Sequence, residues 1–260
     1  MFAATLLVNT LLASFALAAP SSRLAERLAR RQARQSMPLS RLDAAENLAA
    51  GNVSHVEYSQ NWSGAVWESY PTGTFKSVTG TFIVPTPSGS GSASAWVGID
   101  GDTCGSAILQ TGIDFNIQDG DVSYDAWYEW YPDYAYDFSG IPIHAGDSIT
   151  LTVTASSTTT GTAVIINNTT GKKVSKSLSN SNALCLENAE WIVEDFEEGS
   201  SLVELCDFGT VKFTDAYATT ESGETVGVSG ASTIDLKQGS TVYTSVSTAS
   251  EGLTVKYTGS

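Results

Sequence analysis

Histidine is scarce in this 260-residue chain: His55 and His144 are the only two. His55 follows a change of composition near residue 51, and His144 stands in Ile143-His144-Ala145-Gly146-Asp147, which reads as a turn. Neither placement supports a Ser-His-Asp arrangement or a cysteine–histidine pair. The chain also lacks HExxH, a histidine cluster and CxxC, the patterns from which transition-metal sites are built. Asp100-Gly101-Asp102 resembles the start of a calcium loop, but the spaced oxygen ligands that should follow are missing. No metal and no cofactor are therefore expected. Cys104, Cys185 and Cys206 are the only cysteines. They allow one intramolecular disulfide at most, and spacing does not choose the pair. A leftover thiol reads as a small buried hydrophobe.

Arginine is missing from residue 42 onward. Arg23, Arg27, Arg30, Arg31, Arg34 and Arg41 all fall in the first 50 residues, where they face three carboxylates. From residue 51 on, seven lysines face 25 carboxylates, a net charge of -18. Such a body repels nucleic acid and anionic membrane surfaces, so neither is expected as a partner. As pH falls through about 4 the carboxylates protonate and self-repulsion fades, which suits an acidic environment. Solubility alone is the plainer reading of the same charge. A basic leader before an acidic body also fits a secreted precursor whose first part neutralises the second and is then removed.

Long apolar runs are absent beyond residues 3–19, and that run is too short and interrupted for a comfortable membrane span. It ends in Ala16-Leu17-Ala18, a signal-peptidase pattern, although no Lys or Arg precedes it. The expected division is a signal peptide at 1–18, a basic pro-region at 19–53 and one catalytic domain at 54–260. The mature N-terminus is placed near residues 52–59, and the product is expected to be extracellular and monomeric. Leu24 and Leu28 are spaced as on a short amphipathic helix, which Pro38 would end. Asn52, Asn61, Asn167 and Asn168 begin glycosylation-acceptor triplets.

After residue 51 there is no helical periodicity. Period-two alternation takes its place at 148–154, 174–178, 211–214, 241–244 and 253–257. Asn168-Thr169-Thr170-Gly171-Lys172 reads as a hairpin turn, and Thr86–Ser94 as a Gly/Ser/Pro loop. Many short strands with frequent turn signals imply an all-β, antiparallel β-sandwich.

Several strands carry polar groups among large aromatics. Alternation puts Trp96, Gly98 and Asp100 on one face, and Asp125, Trp127, Glu129 and Tyr131 on another. It also groups Glu190, Ile192, Glu194 and Phe196, and sets Gln110 in the apolar run Ile108-Leu109-Gln110-Thr111-Gly112. Each carboxylate taken singly reads as a solvated group. Together they describe an aromatic-lined binding face. Paired carboxylates in such a cleft would equally serve a glycoside hydrolase or a carbohydrate-binding module. Elimination leaves carboxylate and carboxamide chemistry, which suits acid because a Glu of pKa about 4.3 still titrates there.

Four motifs closely resemble the fungal glutamic peptidases, or eqolisins. They are Trp96-Val-Gly-Ile-Asp-Gly-Asp-Thr-Cys104, Ile108-Leu-Gln-Thr-Gly112, Tyr124-Asp-Ala-Trp-Tyr-Glu-Trp-Tyr-Pro132 and Ala189-Glu-Trp-Ile-Val-Glu-Asp-Phe196. Asn61-Trp62-Ser63-Gly64-Ala65 looks like the start of that family's mature domain, and the resemblance spans roughly residues 59–220. It implies a pepstatin-insensitive acid endopeptidase acting on polypeptides. The implied fold is a sandwich of two seven-stranded sheets of concanavalin-like or jelly-roll type. It further implies Gln110 and Glu194 as the catalytic pair, with Trp62, Trp96, Asp100 and Glu129 in support and a Cys104–Cys185 bridge. Glu190 is the rival of Glu194, since both share one strand face. The basic pro-region is expected to act as an intramolecular inhibitor whose arginines pair with cleft carboxylates.

Overall fold

The computed structural model describes residues 29, 31–42, 56–250 and 252–259. The apolar run at 3–19 and the Leu24/Leu28 pair lie outside them. Two large antiparallel sheets face each other. One runs Lys172–Ser179, Thr160–Asn167, Ser148–Ser157, Phe75–Ile83, Thr210–Thr220, Gly252–Tyr257, Thr244–Ala249, with Thr225–Gly227 paired beside Thr210–Thr220. The other runs Thr241–Val242, Ser232–Gln238, Trp62–Trp67, Ala189–Glu194, Gly91–Ile99, Ile108–Gln118, Asp121–Tyr131, Tyr136–Asp137, with Val56–Ser59 added parallel to Ser232–Gln238. The sheets thus hold eight and nine strands rather than seven each. Part of the surplus is pieces of two or three residues, such as Thr225–Gly227 and Tyr136–Asp137. Such pieces lack the length to show alternation in a sequence.

The two sheets bury their residues differently. Ser148–Ser157 alternates between buried Ile149, Leu151 and Val153 and half-exposed Ser and Thr, so only one of its faces is covered. Hydroxyls on the wet face pair across strands, Thr79 with Thr152 and Thr81 with Thr150. Ala189–Glu194 is buried at all six positions. Trp191 and Val193 enter the core between the sheets, beside Val97, Ile99, Leu109 and Phe82. Ile192 points the other way and joins Trp62, Trp96, Trp127 and Ile234 in a second cluster on the outer face. That second covered face is where the polar side chains lie.

Gly91–Ile99 enters the sheet inside the expected loop at 86–94. Gly91 has φ 91°, and a Cβ there would stand 1.8 Å from the Glu204 carbonyl oxygen. The small residues serve a close approach of two chains rather than a loop. At the other end, Ala189–Glu194 stops before Asp195 and Phe196, so Phe196 lies beyond the strand it was grouped with. The hairpin at 168–172 forms as expected, with Asn167 opposite Lys172. Asn61 and Asn167 are buried, whereas Asn168 is exposed in that turn. Cys104 and Cys185 form the disulfide, Cα atoms 6.1 Å apart. Cys206 is free and buried, its thiol pushed up to about 12 chiefly by burial. Among the described residues no helix is long and apolar enough to cross a membrane.

Candidate active site

Sheet register explains which side chains meet on the outer face. Asp125, Asp114, Ser94, Glu194 and Trp62 form one row across five strands. Two residues along each strand, the row is Trp127, Gly112, Trp96, Ile192 and Gly64. Two further on, it is Glu129, Gln110, Gly98, Glu190 and Val66. Glycines in the middle rows leave space for the tryptophans. A Cβ on Gly112 would lie 2.6 Å from Trp96 and 2.8 Å from Trp127. Trp62 and Trp96 meet edge to face with centroids 4.9 Å apart.

Glu194 is fully buried. Its Oε2 accepts from Trp96 Nε1 at 2.9 Å, and its Oε1 accepts from the backbone N–H of Met37 at 3.0 Å. Burial pushes its pKa up to about 7, against the opposing pull of Arg34, Ser36, Met37 and Trp96. Beside it Asp195 is also raised to about 7 by burial, although Gln238 Nε2 donates to it at 2.7 Å. Glu129 accepts at Oε2 from Ser36 N–H and from Arg34, and burial still holds it well above the usual carboxylate range. Gln110 is fully buried, and neither side-chain atom has a hydrogen-bond partner. Glu190 is in the same condition.

Asp100, expected among the supporting residues, is held by backbone donors. Its carboxylate accepts from four successive backbone N–H groups, those of Cys185, Leu186, Glu187 and Asn188, at 2.8–3.2 Å. It ties the disulfide turn to the end of Gly91–Ile99 and has no acceptor capacity left for a ligand. Asp100, Cys104 and Cys185 do cluster within metal-binding distance, but both sulfurs are spent in the disulfide.

Residues 31–42 occupy the cleft. Arg34 is buried among carboxylates: Nε and Nη2 donate to the two oxygens of Asp114 at 3.1 and 3.0 Å, and Nη1 donates to Glu129 at 3.0 Å. Its guanidinium lies 3.8 Å from the Trp127 ring centroid and 4.6 Å from that of Phe196. Arg34–Gln35 pairs as a strand with Glu197–Glu198. The Met37 carbonyl accepts from Trp62 Nε1 at 2.9 Å. On one flank Arg31 reaches Asp125 and Asp137, both at 2.7 Å. On the other, Arg41 reaches Glu57, Glu68 and Asp102.

Sequence reasoning missed Asp114 and Ser94 as members of this site. Asp114 was findable, since it stands four residues after Gln110 on the same strand face. Phe196 was grouped with this face and does line the cleft, though it reaches it from beyond the strand end.

A model of the peptidase A4 family matches residues 60–257. Aspergillopepsin-2 of Aspergillus niger is 46% identical over 97% of this chain and 98% of its own length. Scytalidopepsin B of Scytalidium lignicola is 46% identical over 84% of each. The crystal structure of scytalido-glutamic peptidase with a transition state analog inhibitor superposes with a TM-score of 0.71 at 46% identity, over 76% of this chain and 98% of that one. The structure of aspergilloglutamic peptidase from Aspergillus niger gives 0.62 at 57% identity, over 64% and 99%. This chain belongs to the peptidase A4, or eqolisin, family of glutamic-type endopeptidases.

Proposed function

We propose that the chain is made as a secreted precursor and that its mature body cuts peptide bonds in acid with Glu194 and Gln110. Ionised Glu194 takes a proton from a water as that water's oxygen attacks the scissile carbonyl carbon. The Gln110 amide N–H donates to the oxygen on which negative charge develops, a contribution typically worth about 3–4 kcal/mol. Glu194 then gives its proton to the amide nitrogen as the C–N bond breaks. A neutral amide donor needs no particular protonation state, so one carboxyl carries the pH dependence. Trp96 holds Glu194 in place through its indole N–H. Trp62 and Trp127 wall the cleft.

Residues 31–42 are read as the inhibitory part of the pro-region. The observation that carries this reading is the occupancy of Glu194: both oxygens are taken by N–H donors, one of them the Met37 backbone. While the segment stays, its Met37 N–H holds Glu194 Oε1. Burial beneath it also favours the protonated form, which is no base.

The test is the full chain brought to about pH 3, the range in which carboxyls protonate, and given a denatured protein with pepstatin present. Wild type should cleave it and Glu194→Gln should not, with both folded by circular dichroism. A substantially active Glu194→Gln enzyme sinks the assignment.

A further inference from the structure

Two kinds of contact hold the leader in the cleft. Arg31, Arg34 and Arg41 are held by their side chains. From Met37 to Ser40 the chain is held by its backbone. Met37 N–H donates to Glu194 Oε1 at 3.0 Å, and the Met37 carbonyl accepts from Trp62 Nε1 at 2.9 Å. Leu39 N–H donates to the Gly101 carbonyl, and the Ser40 carbonyl accepts from Gln60 N–H, both at 2.9 Å. Contacts of this kind read no side chain, so a polypeptide of another sequence can make them.

One side chain makes the rest. Asn61 Nδ2 donates to the carbonyls of Met37 at 3.3 Å and Pro38 at 3.1 Å. Its Oδ1 accepts from Ser40 N–H at 2.8 Å. The residue is buried, and its amide is fixed from behind. Ser59 Oγ accepts from the N–H groups of Asn61 and Trp62, which leaves its proton for Asn61 Oδ1 at 2.9 Å. Asp195 N–H donates to the Asn61 carbonyl at 2.8 Å, which sets Asn61 beside Glu194. Removal of the leader would strip Nδ2 of both these partners and leave Oδ1 with Ser59 alone. Buried polar groups need partners, and an amide already held in place takes a new one at low entropic cost.

We infer that Asn61 is a substrate-binding residue that takes the backbone of a polypeptide over the four residues following the cut bond. Its register rests on the proposed mechanism. The nitrogen that Glu194 protonates is the first atom of the departing half, and Met37 N occupies that place. Met37 to Ser40 then stand for the first to fourth departing residues. Nδ2 serves the first and second carbonyls, and Oδ1 serves the fourth N–H. The favoured substrate is an extended polypeptide with at least four residues beyond the cut.

The test uses acid-processed full chain, pepstatin, and a quenched-fluorescent peptide that continues past the fourth departing residue. Mass spectrometry of the products fixes the bond cut. A second peptide carries an ester in place of the amide between the third and fourth departing residues. That change deletes the N–H taken by Oδ1 and keeps the length. Wild type should cut the ester peptide with kcat/KM about tenfold lower, the scale of one buried acceptor left unpaired. Asn61→Ala should cut the amide peptide at least tenfold more slowly than wild type, on the same scale, and should treat the two peptides alike. A wild type that cuts both equally well overturns the inference, and that arm needs no variant to fold. An equal ester penalty in wild type and Asn61→Ala overturns it as well. An active Glu194→Gln enzyme that keeps the ester penalty would sink the proposed mechanism alone. Cleavage of neither peptide by wild type would sink both.

Discussion

Replacing Arg34 with alanine should release the cleft. The guanidinium is buried, bonded to both oxygens of Asp114 and to Glu129, and sandwiched against Trp127 and Phe196. Removing one partner of a buried charge pair costs about 3–5 kcal/mol. Asp114 and Glu129 can take up protons or water once the side chain is gone, so the low end applies. About 3 kcal/mol corresponds to roughly 150-fold in affinity. The assay is fluorescence polarisation of a labelled peptide spanning residues 31–41, with and without the substitution, on the mature body. The pH dependence has a definite sign. Arg34 pulls Asp114, Glu129 and Glu194 below the values that the same buried pocket would otherwise impose. Its contribution is therefore whole where they are ionised and is lost as pH falls through their bound-state values. For Glu194 that value is about 7, so the loss begins near neutrality. The advantage of arginine over alanine should shrink steadily from pH 7.5 downward. An alanine peptide that binds within a few-fold of the parent near neutrality, or a ratio that grows in acid, would refute the reasoning.

Asp100→Asn should destabilise without disarming. Hydrogen bonds to a charged group are worth about 1.5–3 kcal/mol each, and an amide –NH2 would face donors where Asp100 now accepts four. Calorimetry should show a clear fall in midpoint, while kcat of the folded fraction stays near wild type; a selective loss of kcat would return Asp100 to the cleft. Glu194→Gln preserves shape and removes the base, so its midpoint should match or exceed that of wild type while turnover vanishes.

Much of the sandwich was legible because side-chain alternation survives wherever one face is wet, as in Ser148–Ser157. The site strands were harder. Ala189–Glu194 is buried on both faces, so its alternation separates two kinds of interior rather than inside from outside. Glu190 and Glu194 consequently looked equivalent. What distinguishes them is register: Glu194 meets Trp96, Trp62 and the Met37 N–H, whereas Glu190 lies over Gly98 with both oxygens unpartnered. Pairing across strands is a property of the whole sheet and cannot be read from one segment. The arginines announced a partner for the carboxylates. Which arginine would be swallowed whole was invisible, because Arg31, Arg34 and Arg41 differ only in where the chain sets them.

The buried acids also explain why a basic leader accompanies this body. Asp114, Glu129, Glu190, Glu194 and Asp195 are all buried near one another in a chain of net charge -15. Such a cluster is tolerable in two ways: with protons on it, or with a cation inside it. Arg34 is the cation at neutral pH, and acid supplies the protons. The consequence for stability follows from the direction of the shifts. Burial raises Asp195 to about 7 and Asp235 to about 6, both above their unfolded values and neither through a residue of 31–42. A group raised on folding contributes stability that is whole below its unfolded pKa and is lost as pH rises through the folded one. The mature body should therefore unfold at its highest temperature in acid and lose stability as pH climbs through about 6 to 7. The full chain should lose less over the same interval, because Arg34 stays paired with the carboxylates as they ionise. Scanning fluorimetry of both forms from pH 3 to 8 measures the difference directly. A mature body that kept its midpoint to pH 8, or fell no further than the full chain, would show that the leader's charge has no part in holding the cleft together.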